Sequence, residues 1–223
     1  MRDLTRGGRA KATKVALGVL AASVAFLVVG NLAILVASKW ARSTTPVIRI
    51  ESIDGVDNLE AVDGKLWRGA APSTEGYRNL ATAGTTTVVD LRAEDGLEAD
   101  QALVESLGMR LIRIPVRDGQ TPSSSQIAAF LEATHQTEGT VFVHCGAGVG
   151  RTGAMVGAYT VANGDLNGRG AVVRNLAVGP PSLEQLAFVA GFDADEIDRP
   201  NVAVRAVSRV LDAPRRIWHH LGL

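Results

Sequence analysis

Cys145 and Arg151 carry the chemistry that this sequence can support. They stand in the run His144-Cys145-Gly146-Ala147-Gly148-Val149-Gly150-Arg151-Thr152-Gly153, and Cys145 is the only cysteine of the chain. Glycines adopt positive φ without strain, so successive N–H groups in such a run can turn toward one centre. A helix starting there adds its unbonded N–H groups and the positive end of its dipole. The product is an anion cradle suited to phosphate, built from Gly146, Ala147, Gly148, Val149, Gly150 and Arg151. The same field favours thiolate over thiol, which makes Cys145 a nucleophile at the floor of the cradle. Arg151 presents a planar fork that grips two phosphate oxygens at once, a geometry lysine lacks. Thr152 opens the helix with a hydroxyl within reach of the sulfur. The alternative is an inert core cysteine at a strand end, which leaves the glycines and Arg151 without a purpose.

Two elements must hold this loop. Thr140-Val141-Phe142-Val143 is apolar and β-branched, a strand that runs into Cys145. Ala154-Met155-Val156-Gly157-Ala158-Tyr159 continues as a helix of small and apolar residues. Strand-like runs recur at 64–70, 85–92 and 110–116, and 46–50 fits an early edge strand. Helical patterns occupy 97–107, 125–135, 167–178 and 182–192, and Pro72-Ser73-Thr74-Glu75 marks one more helix start. This alternation predicts an α/β fold with a largely parallel central sheet flanked by helices, preceded by one N-terminal transmembrane helix. In such sheets ligands bind at the carboxyl ends of the strands. Cys145 falls at such an end, and so does Asp118, beyond the strand at 112–116.

Asp118 is the candidate general acid. Gly119 and Pro122 flank it in a loop that can serve as a movable lid. A turn-forming role within Arg117-Asp118-Gly119 is the alternative. Glu94 and Asp95, after the 85–92 strand, are the acids in reserve.

Other functions leave weaker traces. Gly148 to Gly153 also fits G-x-G-x-x-G, the dinucleotide fingerprint. That motif requires an acidic residue ending the next strand about 20 residues on; Asp165 sits instead in Ala162-Asn163-Gly164-Asp165-Leu166-Asn167-Gly168, which reads as a turn. A formal net charge of zero gives no argument for nucleic-acid binding. One cysteine excludes an intramolecular disulfide framework and a Cys-rich zinc site. Neither metal nor cofactor is called for, because the cradle supplies the positive charge.

The spacing of His144, Cys145, Arg151 and Thr152 resembles the His-Cys-x5-Arg-Ser/Thr signature of the cysteine-dependent protein tyrosine phosphatase superfamily. The order Trp-Arg-Gly-Ala-x-Pro-Ser (67–73), Val-Asp-Leu-Arg (89–92), Ile-Pro-Val-Arg-Asp-Gly (114–119), then the signature, is similar to its compact dual-specificity branch. The resemblance covers residues 58–192 and is densest at 144–153. It implies a phosphocysteine intermediate, with the acid carried by the loop that contains Asp118. It also implies that His144 braces the loop by a hydrogen bond, and that Gln185 occupies the place of a water-orienting glutamine. Family members acting on polyphosphorylated inositols often carry lysines or further arginines inside the loop. The five intervening residues here are uncharged, which suits a single phosphomonoester: phosphotyrosine, phosphoserine or phosphothreonine of a protein. A phospholipid, another small phosphomonoester, or a phospho-binding pseudophosphatase remain the alternatives.

The two ends of the chain read differently. Residues 15–37 contain no charged side chain. A helix over them measures about 35 Å, enough to cross the ~30 Å of hydrocarbon in a bilayer. Lys39, Trp40 and Arg42 follow where an interfacial anchor belongs. A cleaved signal peptide is the alternative, but the apolar stretch exceeds the usual ~7–15 residues. Arg2, Arg6, Arg9, Lys11 and Lys14 against Asp3 place the N-terminus in the cytoplasm and the catalytic domain on the opposite side. The expected organisation is a basic tail (1–14), an anchor (15–37), a juxtamembrane linker (38–57), a catalytic domain (58–200) and a basic amphipathic tail (201–223). In that last tail Val204, Val207, Leu211, Trp218 and Leu221 can share an apolar stripe. It would pack on the domain or lie on an anionic membrane.

Overall fold

The strand that runs into Cys145 lies in the middle of a sheet whose centre is covered on both faces. The computed structural model describes residues 4–50, 53–94, 97–194 and 200–220. Its strands are β1 (Ile48–Arg49), β2 (Glu60–Ala61), β3 (Leu66–Gly69), β4 (Thr85–Arg92), β5 (Arg110–Val116) and β6 (Thr140–His144). They form one sheet in the order β1-β2-β3-β6-β4-β5. The pairs β3–β6, β6–β4 and β4–β5 are parallel, while β1 and β2 add an antiparallel edge. The sheet is therefore mixed and mostly parallel.

Side chains alternate across each central strand and divide the core in two. Val141 and Val143 of β6, with Val89 and Leu91 of β4, face one cluster. Phe142 and Val88 face the other. Helices α4 (Ser124–Gln136), α5 (Gly150–Ala162) and α7 (Leu183–Ala190) supply the first cluster with Phe130, Met155 and Phe188. Helices α2 (Thr74–Thr82) and α3 (Glu98–Ser106) supply the second with Tyr77, Leu80 and Val104. Both faces are covered, which is why β6 reads as a continuous apolar run.

Several helix starts follow from side-chain caps. Ser123 with Gln126 and Ser182 with Gln185 form capping boxes at α4 and α7. Ser73 caps α2, and Asn167 caps α6 (Gly168–Val178). No side chain caps α5, whose first turn faces the loop after Cys145.

The N-terminal helix α1 runs from Leu4 to Thr44, past the end of the apolar stretch at residue 37. Over Lys14–Thr44 it is long and apolar enough to cross a membrane. Its last turns, however, are docked on α6. Ser38 Oγ donates to the Leu176 carbonyl at 2.7 Å, and Ala41 is fully buried beside Leu176 and Ala177. Arg42 donates to the carbonyls of Ala177 (3.3 Å) and Val178 (3.1 Å). It was expected beside Lys39 and Trp40 at a membrane interface. It caps α6 instead, because carbonyls at a helix C-terminus need donors and favour a cation.

The C-terminal helix α8 (Val202–His220) packs against α7 and α1. Of the residues expected in its apolar stripe, Leu211 is buried and Val207 is exposed. Leu221 and the side chain of Trp218 lie outside the described residues.

Candidate active site

The loop after β6 is shaped from behind, by groups that hold its carbonyls. Ala71 N–H donates to the Gly146 carbonyl at 2.8 Å. Asn58 Nδ2 donates to the Ala147 carbonyl at 3.0 Å. Arg68 Nη2 donates to the Gly148 carbonyl at 2.7 Å and lies 3.4 Å from that of Val149. In a planar trans peptide the C=O of one residue and the N–H of the next point opposite ways. Four carbonyls drawn outward therefore turn the N–H groups of residues 147–150 inward. At Gly148 φ is +72°, and a Cβ there would collide with the backbone of Gly69, so only glycine fits.

None of Arg68, Asn58 and Ala71 was singled out as functional from the sequence. Arg68 sits in the quoted Trp67-Arg68-Gly69 segment and is 1% exposed. A buried arginine is rare enough to mark a site once its burial is known. It also reaches Asn175 Oδ1 at 3.3 Å, and Asn175 in turn fills the space against Gly153. Asn58 has φ +54°, a conformation that asparagine tolerates better than most residues.

Cys145 directly follows β6 and is 3% exposed. His144, fully buried, ends the strand between Gly69 of β3 and Asp90 of β4. Its Nδ1 lies 3.1 Å from the Cys145 carbonyl and its Nε2 lies 3.4 Å from the Tyr77 hydroxyl. A carbonyl only accepts, so Nδ1 carries the proton and Nε2 accepts from Tyr77. Burial pushes the His144 pKa down to about 4, against the pull of Asp90. The ring is therefore neutral at physiological pH and holds the carbonyl of Cys145.

Arg151 is 5% exposed and is gripped by two carboxylates. Its Nη1 lies 3.0 Å from Glu94 and 3.3 Å from the Val116 carbonyl. Its Nε lies 3.4 Å from Asp118 Oδ1. Burial alone would weaken the charge on Arg151, but the Glu94 hydrogen bond and the neighbouring negative charges of Cys145, Asp118 and Glu94 outweigh it and raise its pKa. For Glu94, partial burial pushes the carboxyl up, yet the Arg151 hydrogen bond and charge prevail and hold it lower than usual. The Asp118 and Glu94 side chains are each 51% exposed, at the mouth of the cradle. Asp95 lies outside the described residues. Thr152 is buried, and its Oγ1 has no hydrogen-bond partner among the described residues.

The loop that carries Asp118 is tied to the start of α7. Ser182 Oγ donates to the Gly119 carbonyl at 3.3 Å, and Gln185 Nε2 donates to that of Gln120 at 3.2 Å. Gln185 is 1% exposed and stands against Gly150, where a Cβ would come within 2.5 Å of its Oε1. His144 at the end of β6, Cys145 after it, Arg151 and Thr152 in the first turn of α5, Asp118 on the loop after β5 and Gln185 on α7 thus lie around the one loop.

This fold and this loop are those of the cysteine-dependent, dual-specificity-like phosphatase families. Residues 37–191 match the model of a family described as a DSP-PTPase phosphatase fused to NAD+ kinase, and the chain belongs to that family. A probable chloroplastic NAD kinase 2 of Oryza sativa subsp. japonica is 32% identical over 155 residues, 62% of this chain but 15% of the rice protein. The human dual specificity protein phosphatase CDC14A is 46% identical over 44 residues, 20% of this chain and 7% of that one. The chain therefore spans a small part of the curated relatives it matches. Among solved structures, the catalytic core of the PP-IP phosphatase SIW14 from S. cerevisiae superposes with a TM-score of 0.56. The alignment covers 75% of this chain and 97% of that one at 17% identity, a likeness of fold alone.

Proposed function

We propose that this chain is a membrane-anchored phosphomonoester hydrolase acting on phosphotyrosine, phosphoserine or phosphothreonine. The observation that carries this reading is the position of Arg151, which joins the Cys145 loop to Asp118 at 3.4 Å. Nucleophile, clamp and acid then share one mouth.

Cys145 Sγ attacks phosphorus, the P–O bond to the leaving group breaks, and Asp118 delivers a proton to the departing oxygen. Water next attacks the phosphocysteine while Asp118 takes its proton, and the S–P electron pair returns to sulfur beside the Thr152 hydroxyl. Arg151 and the inward N–H groups hold the equatorial oxygens through both steps. Gln185, held between Ser182 and the Asp118 loop, takes the water-orienting role that the family resemblance suggests.

The uncharged lining Gly146–Gly150 supports a substrate with a single phosphate. The apolar α1 supports a membrane anchor, and the basic N-terminal residues support an N-terminus in the cytoplasm with the catalytic domain across the membrane. That same anchor favours one second reading, a phosphorylated lipid head group.

Turnover of p-nitrophenyl phosphate without added metal, then of phosphopeptides and phosphoinositide vesicles, tests and separates these readings. Cys145→Ser should abolish turnover while vanadate still binds, since the cradle is backbone and Arg151. Substantial activity in the serine variant would overturn the covalent route.

A further inference from the structure

Helix α8 docks with its polar side and shows its apolar side to the surroundings. Ser208 is fully buried; its hydroxyl accepts from the Glu184 N–H at 3.0 Å and donates to Asp212 at 3.3 Å. Leu211 adjoins α1, where Asn31 Nδ2 donates to its carbonyl at 3.2 Å. Gly30 leaves it room: a Cβ there would lie 2.6 Å from Leu211 Cδ2. On the outer side Val202, Val207 and Val210 are 71%, 37% and 52% exposed. An amphipathic helix serving only a soluble domain buries its apolar stripe and wets its polar one. In α8 Ser208 and Asp212 turn inward beside Leu211, while these three valines turn outward.

The outward valines continue another apolar surface. Val210 lines one groove with Val19, Ala22, Phe26 and Leu27 of α1. Beyond that groove, Leu20, Val24 and Val28 of α1 are at least half exposed. Two elements far apart in sequence thus share one apolar patch, and patches of that extent mark contact surfaces. Arg209, exposed beside Val210, gives the patch a cationic edge suited to anionic head groups.

The depth of α1 follows from its packing. From Ile34 to Ala41 one side of it meets α6, which carries Arg169 and Arg174 and ends there in carbonyls held by Ser38 and Arg42. Such a surface does not enter hydrocarbon. The uncharged helix below it, from Val15 to Gly30, measures about 24 Å. Lys14 can extend that span by reaching back toward the far interface.

We infer that α1 leaves the bilayer at Asn31, and that the Val202–Val207–Val210 stripe of α8 lies on the membrane surface beside it. The catalytic domain is then held by two membrane contacts, in one orientation. This rests on the anchor reading above, and the test separates the two. Full-length protein in a Cys145→Ser background receives single cysteines at Leu20, Val207, Val210 and, as a control, Glu105 of α3. Each is labelled with a nitrobenzoxadiazole dye. The protein is reconstituted into vesicles of equal parts phosphatidylcholine and phosphatidylglycerol that carry nitroxide lipids at shallow or deep positions.

Labels at 207 and 210 should lose emission with the shallow nitroxide, the label at 20 with the deep one, and the label at 105 with neither. Loss at 20 with none at 207 and 210 overturns the α8 contact and leaves the anchor standing. No loss at 20 overturns both. Quenching at 207 and 210 by a spin-labelled second copy, but not by lipid, overturns the proposal in favour of a protein partner.

Discussion

Asp118 and Glu94 both reach Arg151, yet they are not equivalent. Glu94 spends its charge on Arg151 Nη1, the atom that also meets the Val116 carbonyl. Asp118 sits at Nε on a separate loop whose backbone is anchored through Gly119 and Gln120. A general acid matters in proportion to how badly the leaving group needs a proton. Asp118→Asn should therefore cost little with p-nitrophenyl phosphate and roughly 10²–10⁴-fold with an alkyl phosphate. Equal slowing of both substrates would reduce Asp118 to a loop residue and move the test to Glu94→Gln. His144 supports a second expectation at this scale. With its pKa near 4 in the folded protein and about 6.5 in the free side chain, the unfolded chain takes up the proton first. Above pH 6.5 both states are neutral and stability is unaffected; between 6.5 and 4 it falls as pH falls; below 4 this contribution is constant. The loss should reach about 2 kcal/mol by pH 5. His144→Asn, whose amide can still donate to the Cys145 carbonyl, should remove it. Urea midpoints at pH 7 and pH 5 measure both proteins, and an equal loss in the variant would point to another group.

At the scale of elements, the cradle depends on what stands behind it. Arg68 leaves β3 to hold the Gly148 carbonyl and Asn175 on α6, so it couples strand, loop and helix. Arg68→Met keeps the bulk and removes the donors. With hydrogen bonds from a charged group worth about 1.5–3 kcal/mol, kcat/KM should fall roughly 10–100-fold. Vanadate affinity should fall in parallel, because the inward N–H groups lose their alignment; an unchanged vanadate affinity would confine Arg68 to stability. Arg68 also shows where the sequence stopped being legible. The strand, loop and helix around Cys145 were readable because apolar β-branched residues, glycines and small helical residues change over within a few positions. The α7 start was readable from Ser182 and Gln185 for the same local reason. By contrast, β2 has two residues, too short for any period. The roles of Arg68, Asn58 and Ala71 come from contacts between segments far apart in the chain, which no local pattern encodes. The continuation of α1 to Thr44 is not legible in the sequence, because Ser38 and Arg42 look like the polar end of a span, and only α6 makes them part of an interface.

That interface makes the end of α1 part of the folded domain. The proposed site lies from Asn58 onward, so a chain without the N-terminal part of α1 should keep its activity. Where the cut falls decides how stable it is. A chain starting at Asn31 keeps the Asn31–Leu211 bond to α8, the Ser38–Leu176 bond, the buried Ala41 and the Arg42 cap. A chain starting at Thr45 loses all four, leaves the last carbonyls of α6 without those donors and exposes Leu176 and Ala177. One charged cap, one buried hydroxyl bond and a small apolar contact together amount to on the order of 3 kcal/mol. For a domain of this size, each kcal/mol shifts Tm by about 2–4 °C, so the shorter chain should melt roughly 6–12 °C lower. Both should turn over p-nitrophenyl phosphate with similar kcat at 20 °C, because the bonds lost end on Leu176, Ala177, Val178 and Leu211 and none of them reaches the Cys145 loop directly. Thermal melts of the two truncations decide the matter. Equal melting temperatures would mean that α1 passes the domain without supporting it, and the exit point at Asn31 would lose its structural basis.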